Sequence, residues 1–203
     1  MRQKITEKTV YKFDELSDVA KDKAREWWRG NVQHDEWSEY IIDDAAQIAE
    51  LIGIDLCVKS LKSKPAIYWS GFSSQGDGAC FEGRYRYAKN NVKAVKRHAP
   101  EDETLHRIVS GLYDVQRRYQ FKAALDVAHR GHYYHSRSNE ITDVGERELS
   151  AGDFETMSEL LRDYMDWIYR QLEREYDWYM SDEQVDDCIN ANEYEFDEQG
   201  RIA

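Results

Sequence analysis

Between Asp153 and Met180 the residues Met157, Leu161, Tyr164, Ile168, Leu172, Tyr176 and Tyr179 return every three or four positions. That spacing matches the roughly 3.6-residue period of an α-helix with one buried side. A helix this long commits the remaining chain to covering its apolar stripe, since helices draw most of their stability from tertiary contact. The means are present: 41% of the 203 residues are hydrophobic and 13% aromatic. Disordered chains are poor in aromatics, so the 33% charged content belongs to a folded protein.

The covering surface is expected from strands and shorter helices. Residues 5–13 alternate and read as a strand. Asp14 or Ser17 then precedes a helix to about Arg29 with Leu16, Ala20, Ala24, Trp27 and Trp28 near one face, stopped by Gly30-Asn31. A second helix is predicted over 35–52, with Trp37, Ile41, Ala45, Ile48 and Ile52 in register and Gly53 at its end. Strands follow over 56–61, 66–72 and 79–87, with Gln75-Gly76-Asp77-Gly78 as a hairpin turn. In the last of these Ala79, Phe81, Gly83, Tyr85 and Tyr87 share one face, and Cys80, Glu82, Arg84 and Arg86 the other, wetter one. Helices over 91–98 and 102–120, a hairpin of 125–136 with 140–146, a short helix from Ser181 to about Asn190, and an edge strand at Tyr194-Glu195-Phe196 complete the reading.

Hairpins interrupted by helix pairs imply an α+β fold: an antiparallel sheet of about five to six strands, helices mainly on one face, and a long acidic C-terminal helix. With 2 Pro and 11 scattered Gly, no linker composition divides the chain, so residues 1–203 are expected to form a single domain whose acidic helical part is 152–203. The N-terminus lacks the apolar segment of a secretory signal, and no stretch approaches the roughly 20 apolar residues of a membrane span. Cys57, Cys80 and Cys188 are far apart and odd in number, which suggests reduced, mostly buried thiols and a cytoplasmic location.

The charge is unevenly placed. Residues 1–152 contain 24 Asp+Glu and 24 Lys+Arg, whereas 153–198 contain 16 Asp+Glu against Arg162, Arg170 and Arg174. Glu155, Glu159, Asp163, Asp166, Glu173 and Asp177 avoid the apolar stripe of the long helix, and Asp182, Glu183, Asp186 and Asp187 extend the run. Such a surface repels nucleic acid directly, and it attracts a protein with a basic groove. Acidic helix faces also serve solubility alone, which is the commoner use.

Two hairpins (68–87 and 125–146) offer a different site. Trp69, Ser73, Gln75, Asp77, Glu82, His132 and His135 are its candidate residues, with Asp77, Glu82 and a histidine as the acid–base set of an enzyme or small-ligand-binding domain. A phosphate loop would lead from glycines into a helix, and here a strand follows. His129, His132 and His135 on a strand would not converge on one ion, so neither metal nor cofactor is expected. No nucleophile elbow or other catalytic constellation stands out.

Three stretches carry a resemblance: Tyr11 to Ser17 with Ala20 to Trp27, Ser70 to Gly83, and His129-Arg130-Gly131-His132-Tyr133-Tyr134-His135. Together they resemble a family of phage and prophage proteins, some labelled antitoxin of a toxin–antitoxin stability system. The resemblance carries no catalytic residues. It implies a mobile-element protein in a bacterial cytoplasm, where small acidic proteins neutralise nucleases, restriction systems, CRISPR complexes or toxins. The expected function is thus inhibitory binding of a basic, nucleic-acid-binding defence effector through the acidic face, as a DNA mimic, with no direct nucleic-acid or membrane contact.

Overall fold

The computed structural model describes residues 8–31, 37–57 and 65–203. These residues form two compact units: those up to Trp37 with Arg174–Ala203, and those of Ser38–Glu173. The predicted strand residues 5–7 and 58–61 and helix residues 35–36 lie outside the described residues.

The larger unit contains helix α2 (Glu39–Ile52), strands β2 (Ile54–Leu56), β3 (Ile67–Trp69), β4 (Ala79–Phe81) and β5 (Gly83–Arg86), helices α3 (Asn91–His98) and α4 (Glu103–Arg118), strands β6 (Ala124–His129) and β7 (Asn139–Asp143), and most of α5 (Ala151–Tyr179). The α+β class and antiparallel pairing are as expected, but there is no single sheet of five or six strands. Among the described residues a four-stranded sheet runs β2-β5-β6-β7, and β3-β4 is a separate pair. The cause is a break in the predicted strand 79–87. At Glu82 the backbone N–H donates to the Ala66 carbonyl at 2.9 Å while its own carbonyl accepts from the Cys57 N–H at 2.9 Å. One segment therefore leaves the β3 partnership and enters the β2 partnership. Gly83 permits the change: a Cβ there would stand 2.4 Å from the Asp55 carbonyl oxygen and 3.0 Å from Leu56 Cα.

The four-stranded sheet has a dry face and a wet one. Tyr85, Leu125 and Val127 are buried, whereas Arg84, Arg86 and Asp126 reach water on the other side. The register sets Asp55, Arg84, Asp126 and Thr142 in one row across the strands, and Arg84 grips Asp126. The stripe read from the sequence of α5 is buried: Met157, Leu161, Tyr164, Ile168 and Leu172 are all removed from water. Tyr164 meets the Phe81 ring edge-on at 6.1 Å and donates its hydroxyl to the Ala45 carbonyl of α2. Asp102 caps α4 by accepting from Leu105 N–H at 2.9 Å, and its second oxygen takes the Trp167 indole N–H at 2.7 Å.

In the smaller unit a 3-10 turn (Phe13–Glu15) leads into α1 (Asp18–Asn31), and α6 (Asp182–Ala191) packs beside it. Leu16, Ala20, Ala24 and Trp28, four residues apart, meet Phe13, Val185, Ile189 and Phe196 in one buried cluster. The predicted tail strand is present as β8 (Glu195–Phe196), paired antiparallel with β1 (Tyr11–Lys12) so that Tyr11 faces Phe196. No helix among the described residues is long and apolar enough to cross a membrane.

Several local expectations change. The thiols are free, but of the three only Cys80 is buried; Cys57 is exposed. Cys80, on the strand face that alternation makes the wetter one, is fully buried. Trp69 stacks on Phe72, with ring centroids 5.6 Å apart. The turn between β3 and β4 is a long loop, closed by Ser70 N–H to the Gly78 carbonyl at 3.1 Å, instead of a tight four-residue turn.

Candidate functional site

The two hairpin loops meet. The strand predicted over 125–136 ends at His129, and residues 130–138 form a loop closed by Arg130 N–H to the Ser138 carbonyl at 2.8 Å. This loop lies over the one at 70–78: a Cβ on Gly78 would be 2.9 Å from the Tyr134 carbonyl oxygen and 3.0 Å from His135 Cα. Coverage by residues 134–135 is what dries the Cys80 face. Burial, with Glu82 nearby, pushes the Cys80 thiol up to about 12, which keeps it protonated and unreactive near neutrality.

Most of the predicted ligand residues turn out to hold this assembly together. Asp77 Oδ2 accepts the Ser74 N–H at 2.7 Å and the Ser73 N–H at 2.9 Å, and these bonds, that from Ser74 foremost, hold its pKa low. Glu82 accepts from the Tyr68 hydroxyl at 3.1 Å and the His129 N–H at 3.3 Å. Burial and this carboxylate raise the Tyr68 pKa. Tyr68 also stacks on Tyr134, with ring centroids 5.4 Å apart. His135 Nδ1 accepts from the Arg137 N–H at 3.0 Å, and His129 Nε2 engages the Tyr133 carbonyl at 3.0 Å. His132 is exposed on the loop. Asp77 and Glu82 are thus each held by their own hydrogen bonds, Asp77 within its loop and Glu82 between Tyr68 and the His129 backbone.

What the apposed loops leave open is a groove of about 690 Å³ lined by Ser74, Gln75, Tyr133, His135, Arg137 and Ser138. Only Gln75 and His135 of the predicted set line it. Tyr133 and Arg137 were missed because their role follows from loop contact, to which strand alternation is blind.

The acidic residues divide between the units. On α5, Glu155, Glu159, Asp163, Asp166 and Glu173 fall within an arc of about 80° at the helical period, opposite the buried stripe. The arc is partly neutralised. Arg137 reaches Glu159 through both terminal nitrogens at 3.0 and 2.9 Å, Arg162 bonds the same carboxylate, and Arg107 holds Asp163 at 2.7 Å. Burial raises the Glu159 pKa, but the bonds from Arg162 and Arg137 together outweigh it and the net shift is downward. Arg170 stands exposed within the same arc.

In the smaller unit, Arg25 donates to both oxygens of Asp186 at 2.7 Å, and Arg29 donates to Asp182 at 2.6 Å. The bond from Arg29 lowers the Asp182 pKa, and the bond to Asp186 raises that of Arg25. Asp177, Glu183 and Asp187 remain exposed and form no ion pair among the described residues. Residues 174–203 carry ten Asp+Glu against Arg174 and Arg201.

Fold and surface together define an α+β protein with antiparallel sheets, apposed hairpin loops and charged helix faces. The chain belongs to the family described as Domain of unknown function (DUF8835), which matches residues 37–182. No curated protein and no solved structure matches the chain.

Proposed function

We propose that this chain is a binding protein that engages a basic surface on a protein partner through the acidic face of its smaller unit. The observation that carries the reading is the division on α6: Asp182 and Asp186 turn to arginines of α1, while Glu183 and Asp187, one residue on, stay exposed with Asp177. The arginines that cross-link the α5 arc argue against that arc as the main contact. Uncompensated carboxylates steer a basic partner and set the rate of encounter. In the bacterial, mobile-element setting that the sequence resemblance implies, the partner is a cytoplasmic nucleic-acid-binding defence effector or toxin.

The test uses the triple charge reversal Asp177→Lys, Glu183→Lys and Asp187→Lys beside a control reversed at Glu155 and Glu173. Wild type and control are expected to capture the same nucleic-acid-binding protein from bacterial lysate and to displace DNA from it, and the triple variant to do neither. Loss in the control alone moves the contact to α5. Full activity in both variants overturns the reading.

A second reading, a small-ligand-binding domain or enzyme, is supported by the apposition of the two loops around the 690 Å³ groove. Arg137→Ala would empty one wall and leave Glu159 to Arg162 alone. Chemical-shift changes confined to Gln75, Tyr133 and His135 in a fragment screen would favour it.

A further inference from the structure

Residues 84–122 contain ten Lys+Arg and four Asp+Glu, a basic block hidden inside a balanced total for 1–152. At its end the backbone does something unusual. Gln120 and Phe121, neither of them glycine, both take positive φ, 55° and 61°. Bulky side chains rarely adopt that conformation, so the surrounding structure must hold it. Gln116, fully buried, does so from both sides. Its carbonyl accepts the Phe121 N–H at 2.8 Å, and its side-chain amide donates to the Ala123 carbonyl at 2.9 Å.

The result is an aromatic ring held partly in water. Phe121 is 42% exposed and leans on Tyr87, with centroids 4.3 Å apart, and on Tyr113 at 5.9 Å. A groove of about 350 Å³ opens beside it, lined by Arg86, Tyr87, Phe121, Lys122, Val144 and Glu146. Glu146, the one carboxylate among these lining residues, is taken by Lys122 at 2.7 Å, which holds its pKa low. Arg86 is exposed at the end of β5 and forms no ion pair among the described residues; its neighbour Arg84 takes Asp126 instead. Lys89 and Arg117, close by in sequence, are likewise exposed and unpaired among the described residues.

We infer that this groove binds a phosphorylated nucleobase, the base lying on the exposed Phe121 ring that Tyr87 backs and the phosphate on Arg86. An exposed aromatic ring beside an arginine that no ion pair holds among the described residues is the pairing that retains single-stranded nucleic acid with little regard to sequence. The unit of recognition is the same in a free nucleotide and in a single strand. This departs from the expectation of no direct nucleic-acid contact, which was drawn for the whole chain from its acidic helices; here the local charge has the opposite sign. The inference stands apart from the partner reading above, because it uses none of the same residues.

The experiment is fluorescence anisotropy with a labelled single-stranded dT 12-mer at low salt on the full chain, with unlabelled mononucleotide as competitor. The wild type is expected to bind. Phe121→Ala should weaken binding about tenfold or more, and Phe121→Trp should retain it, with circular dichroism showing that both variants fold. Arg86→Ala should reduce the slope of log affinity against log salt by about 0.7, one phosphate contact in a single strand. Tighter binding of the 12-mer than of mononucleotide assigns the strand, and equal affinity assigns the free nucleotide. Absence of binding to both, unchanged affinity in Phe121→Ala, or equal binding of an abasic 12-mer overturns the proposal.

Discussion

The two units are held by different means. In the larger one a long helix lays a stripe of five fully buried side chains over about four turns, and large rings such as Tyr85, Phe81 and Tyr164 are completely removed from water. In the smaller one eight buried residues, three of them alanine or leucine, form the cluster, and arginines of α1 hold aspartates of α6 beside it. The difference teaches where charge can be left over. A unit secured by apolar burial can spend its arginines cross-linking carboxylates on its surface, as Arg107 and Arg137 do. A unit with a small core uses its arginines for its own integrity and leaves the remaining carboxylates open. The family match at 37–182 covers the larger unit and stops at the first residue of α6.

The contrast can be broken most forcefully at its apolar end. Phe81→Ala, at a residue with no exposed surface, should cost about 3–5 kcal/mol, read as a lowered denaturation midpoint of the larger unit. Ile189→Ala in the smaller cluster should cost about 2–3 kcal/mol and appear as lost hydrogen-exchange protection in α1 and α6. A loss there as large as that of Phe81→Ala would erase the distinction.

Arg25→Ala should cost about 1–2 kcal/mol, since it strips a partly buried Asp186 of two charge-assisted bonds. Acid sharpens the same point. The Asp182 pKa is lowered from its ordinary 3.8 by Arg29, so its contribution is fully present above that value. As pH falls below 3.8 through the lowered folded value, the contribution disappears. Exchange protection of α1 and α6 should therefore hold from neutrality to mild acid and decline below about pH 4, and Arg29→Ala should flatten that decline. The smallest effect is expected at Gln120→Gly, which relieves the positive φ of an exposed residue and should raise stability by about 0.5 kcal/mol in thermal denaturation.

Much of the fold was legible because helices announce themselves through period alone. The stripe of α5, the starts of α4 and α6 at Asp102 and Ser181, and the left-handed Gly53 after α2 each appear where local sequence placed them. The candidate sites were less legible. The acidic positions on α5 were readable as a helical arc, but Arg107 and Arg137, which neutralise part of it, arrive from 56 and 22 residues away along the chain. The basic block at 84–122 was visible in principle, and was masked by counting charge over too long a window.

The sequence by itself determined which segments are helical, which faces of them are apolar, and that the chain would end strongly acidic, because these depend on neighbours a few positions apart. The tertiary structure alone decided that the strand at 79–87 would divide at Glu82, that the loop at 130–138 would bury Cys80, and which carboxylates would meet an arginine. Those outcomes depend on close approaches between residues distant along the chain, such as Gly83 against Asp55 and Gly78 against Tyr134, and no local pattern encodes which surfaces will touch.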